Sequence, residues 1–370
     1  MNFAFSEEHE EFRRLAKKWL AENSTSSQVR ALMDTELGFD QSQWKEMAQL
    51  GWQGMAIPEE FGGAGFGYLE LAILFEEMGR TLFPSPFLST VGIAAPLILA
   101  LGSDGQKQDL LGGIAAGEDV VTVAITEPDG SWDLAQISAS ATKENGGFTL
   151  EGTKSYVLDG LAADVLLVAA RTEDGLGLFA VRGDKLERRG LQTMDQTRKL
   201  AKVKLDGVKV PLEDRLGAEN AESALALVLE KAIVLIANES VGGAEVCLEM
   251  SVEYAKTRHQ FGRPIGSFQA IKHKCADMLV QVESAKSAAY YAAWAAQEDE
   301  NELRTVAPLA KSYCTEAYFH CASENIQIHG GIGFTWEHDA HLYFKRAKSS
   351  QLLFGDPAHH RAVLASRLGI

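Results

Sequence analysis

The sequence predicts an α+β chain in three parts: an all-α N-terminal domain over residues 1–118, a compact β-barrel or β-sandwich domain over 119–220, and a four-helix bundle over 221–370. Two observations carry this. Apolar residues recur at helical spacing at both ends of the chain but alternate with period two in the middle. The chain has 370 residues, 46% of them hydrophobic, which is more than one typical domain holds.

The elements follow in order. Phe12, Leu15, Trp19 and Leu20 share one face of a first helix, with Ser6 placed to cap it. Trp44, Met47, Leu50 and Gly51 close a second. A glycine-rich turn over Phe61–Gly67 leads into a third at Tyr68–Leu82, and two more lie near Pro86–Leu101 and Gly105–Ala116. From Asp119 the period changes. Val120, Val121, Val123 and Ile125 predict a strand, followed by a loop over Glu127–Asp133. Further strands are expected at Phe148–Leu150, Tyr156–Leu158, Val165–Ala170, Leu178–Val181 and Val203–Val210, separated by turns such as Asn145-Gly146-Gly147 and Asp206-Gly207. Long helical segments then return at Ala221–Arg258, Ser267–Gln297, Asn301–His329 and His338–Ser349, with a short one after Pro357.

Composition excludes several classes. The 51 acidic residues outnumber the 35 basic ones, for a net charge of −16, which argues against non-specific nucleic-acid binding. The acidic start, Glu7, Glu8, Glu10 and Glu11, is unlike a signal peptide, and no apolar run has transmembrane length. Cys247, Cys275, Cys314 and Cys321 fall inside apolar helical patterns without metal or redox spacing. They predict buried reduced thiols, no metal site and a cytoplasmic location.

Four stretches hold residue types suited to chemistry. Thr126-Glu127-Pro128-Asp129-Gly130-Ser131 ends a strand, where hydroxyls and backbone amides could meet a ring edge or a pyrophosphate, or simply form a polar turn. Gly152 to Val157 opens a strand whose aromatic could stack on a planar ring or pack routinely. Arg258-His259-Gln260-Phe261-Gly262-Arg263-Pro264, with Phe268-Gln269 following, puts a guanidinium at a helix end, suited either to a phosphate or to capping the helix. Gln327-Ile328-His329-Gly330-Gly331-Ile332-Gly333 ends another helix; its glycines permit close backbone approach to a ligand, or are a plain helix stop.

Together these motifs resemble the acyl-CoA dehydrogenase family over nearly the whole chain. The helical–β–helical order agrees, as do the opening Phe5-Ser6-Glu7-Glu8-His9-Glu10-Glu11-Phe12-Arg13 and the turn Pro58-Glu59-Glu60-Phe61-Gly62-Gly63-Ala64-Gly65. The resemblance implies FAD held between two chains. Thr126, Ser131, Tyr156 and Val157 match positions at the flavin ring and phosphate. Arg258, Phe261, Gln269, Gln327, Gly330 and Gly331 match positions that reach the FAD of the neighbouring subunit. It also implies α,β-dehydrogenation of an acyl-CoA to a trans-2-enoyl-CoA, with electrons passing to an electron-transfer flavoprotein. The assembly would be a homodimer or tetramer, or a heterotetramer with a second acyl-CoA dehydrogenase subunit.

The reaction needs a base for the thioester α-proton, and here the sequence departs from its relatives. Phe354 stands where most carry a glutamate, and Ala232 where others carry it on the first long C-terminal helix; Leu158 replaces a usual threonine. Three readings stay open: Asp356 swings in, Glu239 further along that helix serves, or the chain has no base and a partner supplies the complete site. The last matches family members built from a catalytic and a degenerate subunit, and makes a non-catalytic, FAD-sharing partner subunit the competing function. A flavin oxidase or monooxygenase on the same fold is a third.

Overall fold

A computed structural model describes residues 6–144 and 146–370. Phe5 of the opening motif and Asn145 of one predicted turn lie outside the described residues. The helices are α1 Glu7–Asn23, α2 Ser26–Met33, α3 Gln41–Gln49, α4 Tyr68–Thr81, a π-helical segment Leu88–Ala94 running into α5 Ala95–Leu101, and α6 Asp104–Ala115. Eight strands follow: β1 Val121–Ala124, β2 Ser140–Glu144, β3 Gly147–Leu158, β4 Val165–Thr172, β5 Gly175–Arg182, β6 Glu187–Gly190, β7 Leu200–Pro211 and β8 Arg215–Leu216. The C-terminal part holds α7 Glu222–Thr257, a hairpin of β9 His259–Gln260 and β10 Arg263–Pro264, α8 Gln269–Glu298, α9 Glu300–His329, α10 Ala340–Leu352 and α11 Pro357–Leu368. This is the predicted α+β order of helices, sheet and helices. Among the described residues no helix is long and apolar enough to cross a membrane, and no cluster of His, Cys, Asp or Glu could hold a metal ion.

The chain divides into two compact units. One comprises Met1–Arg30, Tyr68–Phe83 and Ile233–Ile370; the other comprises Ala31–Gly67 and Pro84–Ala232. In the first, α9 is flanked by α8, α10 and α11, while α4 packs on α1 and α8. Small residues allow the close approach of α8, whose Ala285, Ala289, Ala292, Ala293 and Ala296 are all buried. Glycine also lets α4 and α7 meet backbone to backbone: a β-carbon at Gly79 would run into the Glu239 carbonyl, and one at Gly242 into the Glu76 carbonyl. Charge is threaded through the same helices. Arg13 bonds Glu76 at 2.7 Å, and the Tyr290 hydroxyl reaches the same carboxylate at 2.8 Å. Ser6 caps α1 as predicted, in a capping box with His9. Leu15 is 56% exposed, however, and Ala16 and Leu20 form the buried line of α1 instead.

The second unit is built on one sheet in the order β6-β7-β3-β2-β4-β5-β8, with β1 running parallel to β4. Val165 to Ala170 on β4 are all buried, as expected of a central strand. The segments predicted separately at Phe148–Leu150 and Tyr156–Leu158 belong to the single strand β3. Its pairing with β7 shifts register between Leu150 and Gly152 and again between Lys154 and Val157. Such bulges re-aim side chains, and the second turns Tyr156 outward with φ 57°. Of the four cysteines, Cys275 is half-buried and the other three are buried; all are free thiols.

Candidate functional site

In the sheet unit, the loop after β1 is stitched to the bulge on β3. The Ser155 amide donates to the Thr126 carbonyl at 2.9 Å, and the Thr126 hydroxyl donates to the Ser155 carbonyl at 2.6 Å. Thr126 is buried, and its hydroxyl proton is committed, so the side chain offers a ligand only an oxygen lone pair. Ser131 lies on the same loop, its amide held by Asp129 Oδ1 at 3.1 Å and its Oγ accepting from the Asp133 amide at 3.2 Å. Tyr156 is 42% exposed, whereas Val157 and Leu158 are buried. A tyrosine held at positive φ with an open face, beside a fixed loop of hydroxyls and amides, is backbone strain of the kind that clusters at ligand contacts.

The helical unit carries the second group of predicted residues. The Arg258–Pro264 stretch is a two-residue hairpin: Gln260 pairs with Arg263, and the turn residues Phe261 and Gly262 both have positive φ, 52° and 77°. This turn pushes Phe261 out to 91% exposure. Arg258, just past the end of α7, is exposed and makes no side-chain bond to any described residue. Gln269 is exposed at the first position of α8. A residue not singled out beforehand, Arg263, lays its guanidinium 4.2 Å from the centre of the Phe268 ring.

At the end of α9, Gly330 has φ 64° and caps the helix, and a β-carbon on either Gly330 or Gly331 would meet nothing. Exposed backbone with open space above it admits a close ligand. Gln327 on the preceding turn lines a cavity of about 490 Å³ together with Ile326, Phe334, Trp336, His341 and Lys345. His341 donates from Nε2 to the Trp336 carbonyl at 3.1 Å, leaving Nδ1 as a buried acceptor without a partner. An unpaired guanidinium, an exposed aromatic, an amide and open glycines in one unit suit a ligand that is both anionic and aromatic, as FAD is.

The catalytic candidates are placed less favourably. Glu239 is 5% exposed on α7 and pairs with Arg346 of α10, itself buried. Asp356 is the exposed N-cap of α11; its Oδ1 accepts from the His359 amide at 2.8 Å, and that bond holds the carboxyl below its usual range. Neither carboxylate stands free. Phe354, at the position where the resemblance leads one to expect a base, is buried with φ 60°. Its carbonyl accepts from His360 Nε2 at 3.0 Å, and the buried Lys311 ammonium binds the carbonyls of Ser350, Gln351 and Gly355 at 2.9–3.2 Å. The turn is thus locked, and its tip is apolar.

The sequence reading missed three groups: Arg346, Lys311 and the buried pair Glu127–Lys154. None of them left a signal in the residue pattern, because each depends on partners distant in the chain.

Three domain descriptions of one family match the chain in order: acyl-CoA dehydrogenase, N-terminal domain over residues 6–118, middle domain over 122–213 and C-terminal domain over 225–369. The acyl-CoA dehydrogenase IpdE2 of Mycolicibacterium smegmatis is 35% identical over 353 residues, covering 95% of this chain and 96% of that protein. The chain belongs to the acyl-CoA dehydrogenase family. Members are flavoprotein oxidoreductases acting on the CH–CH group of acyl-CoA. Among solved structures, butyryl-CoA dehydrogenase from Megasphaera elsdenii is similar at TM-score 0.92 and 27% identity, over 100% of both chains. So is a chain of the ChsE4–ChsE5 complex from Mycobacterium tuberculosis, at TM-score 0.90 and 27% identity, over 100% of this chain and 99% of that one.

Proposed function

We propose that this acyl-CoA dehydrogenase chain binds FAD jointly with a neighbouring subunit and works as the base-less member of a heteromer. The observation that carries the reading is the locked turn at Phe354. A thioester α-proton is a very weak acid, and its removal requires a carboxylate poised in a water-excluded cleft. Phe354 cannot take a proton, Glu239 is committed to Arg346, and Asp356 is committed to the α11 N-terminus.

What this chain retains is the apparatus for the cofactor. Thr126, Ser131 and the Tyr156 bulge offer one surface for a flavin ring and phosphate. Val157, next along the strand from Tyr156, is buried. Arg258, Phe261, Gln269, Gln327, Gly330 and Gly331 offer an exposed cation, aromatic, amides and open backbone for the nucleotide portion of an FAD bound next door. When bound, FAD would accept the hydride from the acyl β-carbon and pass electrons to an electron-transfer flavoprotein. In support of a two-gene assembly, one structurally similar chain comes from the ChsE4–ChsE5 complex.

Co-purification tests this. Expressed alone, the chain should turn over no acyl-CoA; co-expressed with a second acyl-CoA dehydrogenase subunit bearing the turn glutamate, it should yield a yellow complex that bleaches with substrate. A yellow homo-oligomer that oxidises an acyl-CoA unaided would overturn the reading.

A further inference from the structure

One buried ion pair in the sheet unit is left unused by the cofactor reading. Lys154 is fully buried on β3, and Glu127 is nearly so on the loop after β1. The Lys154 Nζ donates to Glu127 Oε1 and to the Ile125 carbonyl, each at 2.9 Å. Glu127 in turn accepts from the Ser138 amide at 3.0 Å, the Ala139 amide at 2.8 Å and the Ser138 hydroxyl. One carboxylate therefore holds both ends of the loop over residues 127–138, and one ammonium fastens that carboxylate to β3. Arg171 tethers the far limb through the carbonyls of Leu134 and Ile137.

The geometry is more than a fold contact. Lys154 is the last regularly paired residue before the register shift on β3, and Ser155 and Tyr156 form the bulge. Thr126 precedes Glu127 and is bonded twice to Ser155. The pair thus sits directly behind the two surfaces assigned to the flavin, Thr126–Ser131 and Tyr156, and joins them. Its charges are well met. Burial disfavours the Glu127 carboxylate, but the Ser138, Ala139 and Lys154 donors outweigh it and hold the group at about 2. Burial pulls the Lys154 ammonium below the ordinary lysine range, against the attraction of Glu127.

We propose that Glu127 and Lys154 are positioning residues for the cofactor: the pair closes the 127–138 loop and fixes it to the Tyr156 bulge, so that the flavin surface exists before FAD arrives. The proposal rests on the cofactor reading above. A preformed site spares the ligand the cost of ordering the loop; partners that orient metal ligands change affinity by about 10–100-fold, and the low end of that scale is expected here.

The test uses the complex in which the chain holds flavin, stripped of FAD and reconstituted. FAD dissociation constants and unfolding midpoints of the stripped protein are measured for wild type, Glu127→Gln and the double variant Glu127→Met/Lys154→Met. Replacing both buried charges by apolar groups of similar volume is often neutral for stability. The double variant should therefore keep its midpoint within a few degrees but bind FAD at least ~10-fold more weakly, with an altered visible circular dichroism band of the bound flavin. Glu127→Gln keeps one acceptor oxygen for the Ser138 and Ala139 donors but leaves the buried Lys154 ammonium without a counter-charge, so its midpoint should fall while its FAD affinity drops clearly less than that of the double variant. A folded double variant with wild-type FAD affinity would overturn the proposal. So would a double variant that fails to fold, which makes the pair purely structural, or a Glu127→Gln variant as impaired as the double, which makes charge rather than loop closure the cause. Wild-type complex that takes up no FAD would sink the cofactor reading and this proposal with it, a result separate from all three.

Discussion

Glu239 shows how burial decides a carboxylate's role. It lies on the first long C-terminal helix, seven residues after Ala232, and the family resemblance made it a candidate. In the fold its Oε1 is paired to Arg346, and the side chains of both are at most 6% exposed. A catalytic base must be able to collect a proton, whereas a buried ion pair resists protonation because the partner would be left charged and unpaired. Glu239→Gln should accordingly act on stability. Weakening one side of a buried pair costs roughly 3 kcal/mol, seen as a lower unfolding midpoint. Turnover per folded complex should change by less than about threefold, against the ~100-fold or more expected on losing a general base. Steady-state kinetics on the folded fraction, beside a thermal melt, distinguish the two; a 100-fold fall in kcat with an unchanged midpoint would restore Glu239 as the base.

Helix α7 meets α4 across two glycines, and this contact was invisible in the sequence although both helices were legible. Gly79 faces the Glu239 carbonyl and Gly242 the Glu76 carbonyl, so the obstacle to a side chain is backbone, which cannot rotate away. Gly242→Ala should destabilise the protein by roughly 2–3 kcal/mol through overpacking, despite alanine's better helix propensity, as measured by denaturant unfolding. A neutral or stabilising alanine would mean that the helices are not in contact there. The long helices could be read because their apolar period runs over many turns. Helix α2 and strands β2, β6 and β8 were not, since each is short or largely exposed: α2 has a helical period, but over only two turns, and the strands offer too few alternating positions. Strand β3 was split in two because Gly152, at φ 135°, and Tyr156 interrupt its alternation. The same distinction holds at the site. Loop motifs with glycine and arginine announced themselves, whereas Glu127–Lys154, 27 residues apart, and Glu239–Arg346, 107 apart, are pairings that only the fold creates.

For the whole chain, the net charge of −16 and the buried imidazoles pull in opposite directions as pH falls. Protonation relieves the self-repulsion of an acidic protein and so favours the folded state. The imidazoles oppose this. Burial, with the nearby Lys311 ammonium and His359 adding to it, pushes His360 down to about 3 against the pull of its bond to the Phe354 carbonyl, and burial also lowers His329 and His341. A histidine whose folded pKa is depressed stays neutral in the native state while the unfolded chain takes up a proton near pH 6.5. Its stabilising contribution is complete above that value and is lost as pH falls towards the folded pKa. For His360 alone the loss between pH 7 and pH 5 comes to about 2 kcal/mol, a large share of any protein's margin. Buried Glu77 and half-buried Asp119 and Asp214 are raised by burial, which gives them the opposite sign: their cost is relieved as pH falls from their raised folded values towards the unfolded values near 4, so they offset part of the imidazole effect. The imidazoles should win between pH 6.5 and pH 5, and the unfolding midpoint should fall by several degrees over that interval. His360→Gln retains a donor for the Phe354 carbonyl but cannot titrate, so its midpoint should fall measurably less than that of wild type. Equal pH slopes for the two proteins would show that His360 is already solvated, and that the turn carrying Phe354 is not the closed structure on which the base-less reading depends.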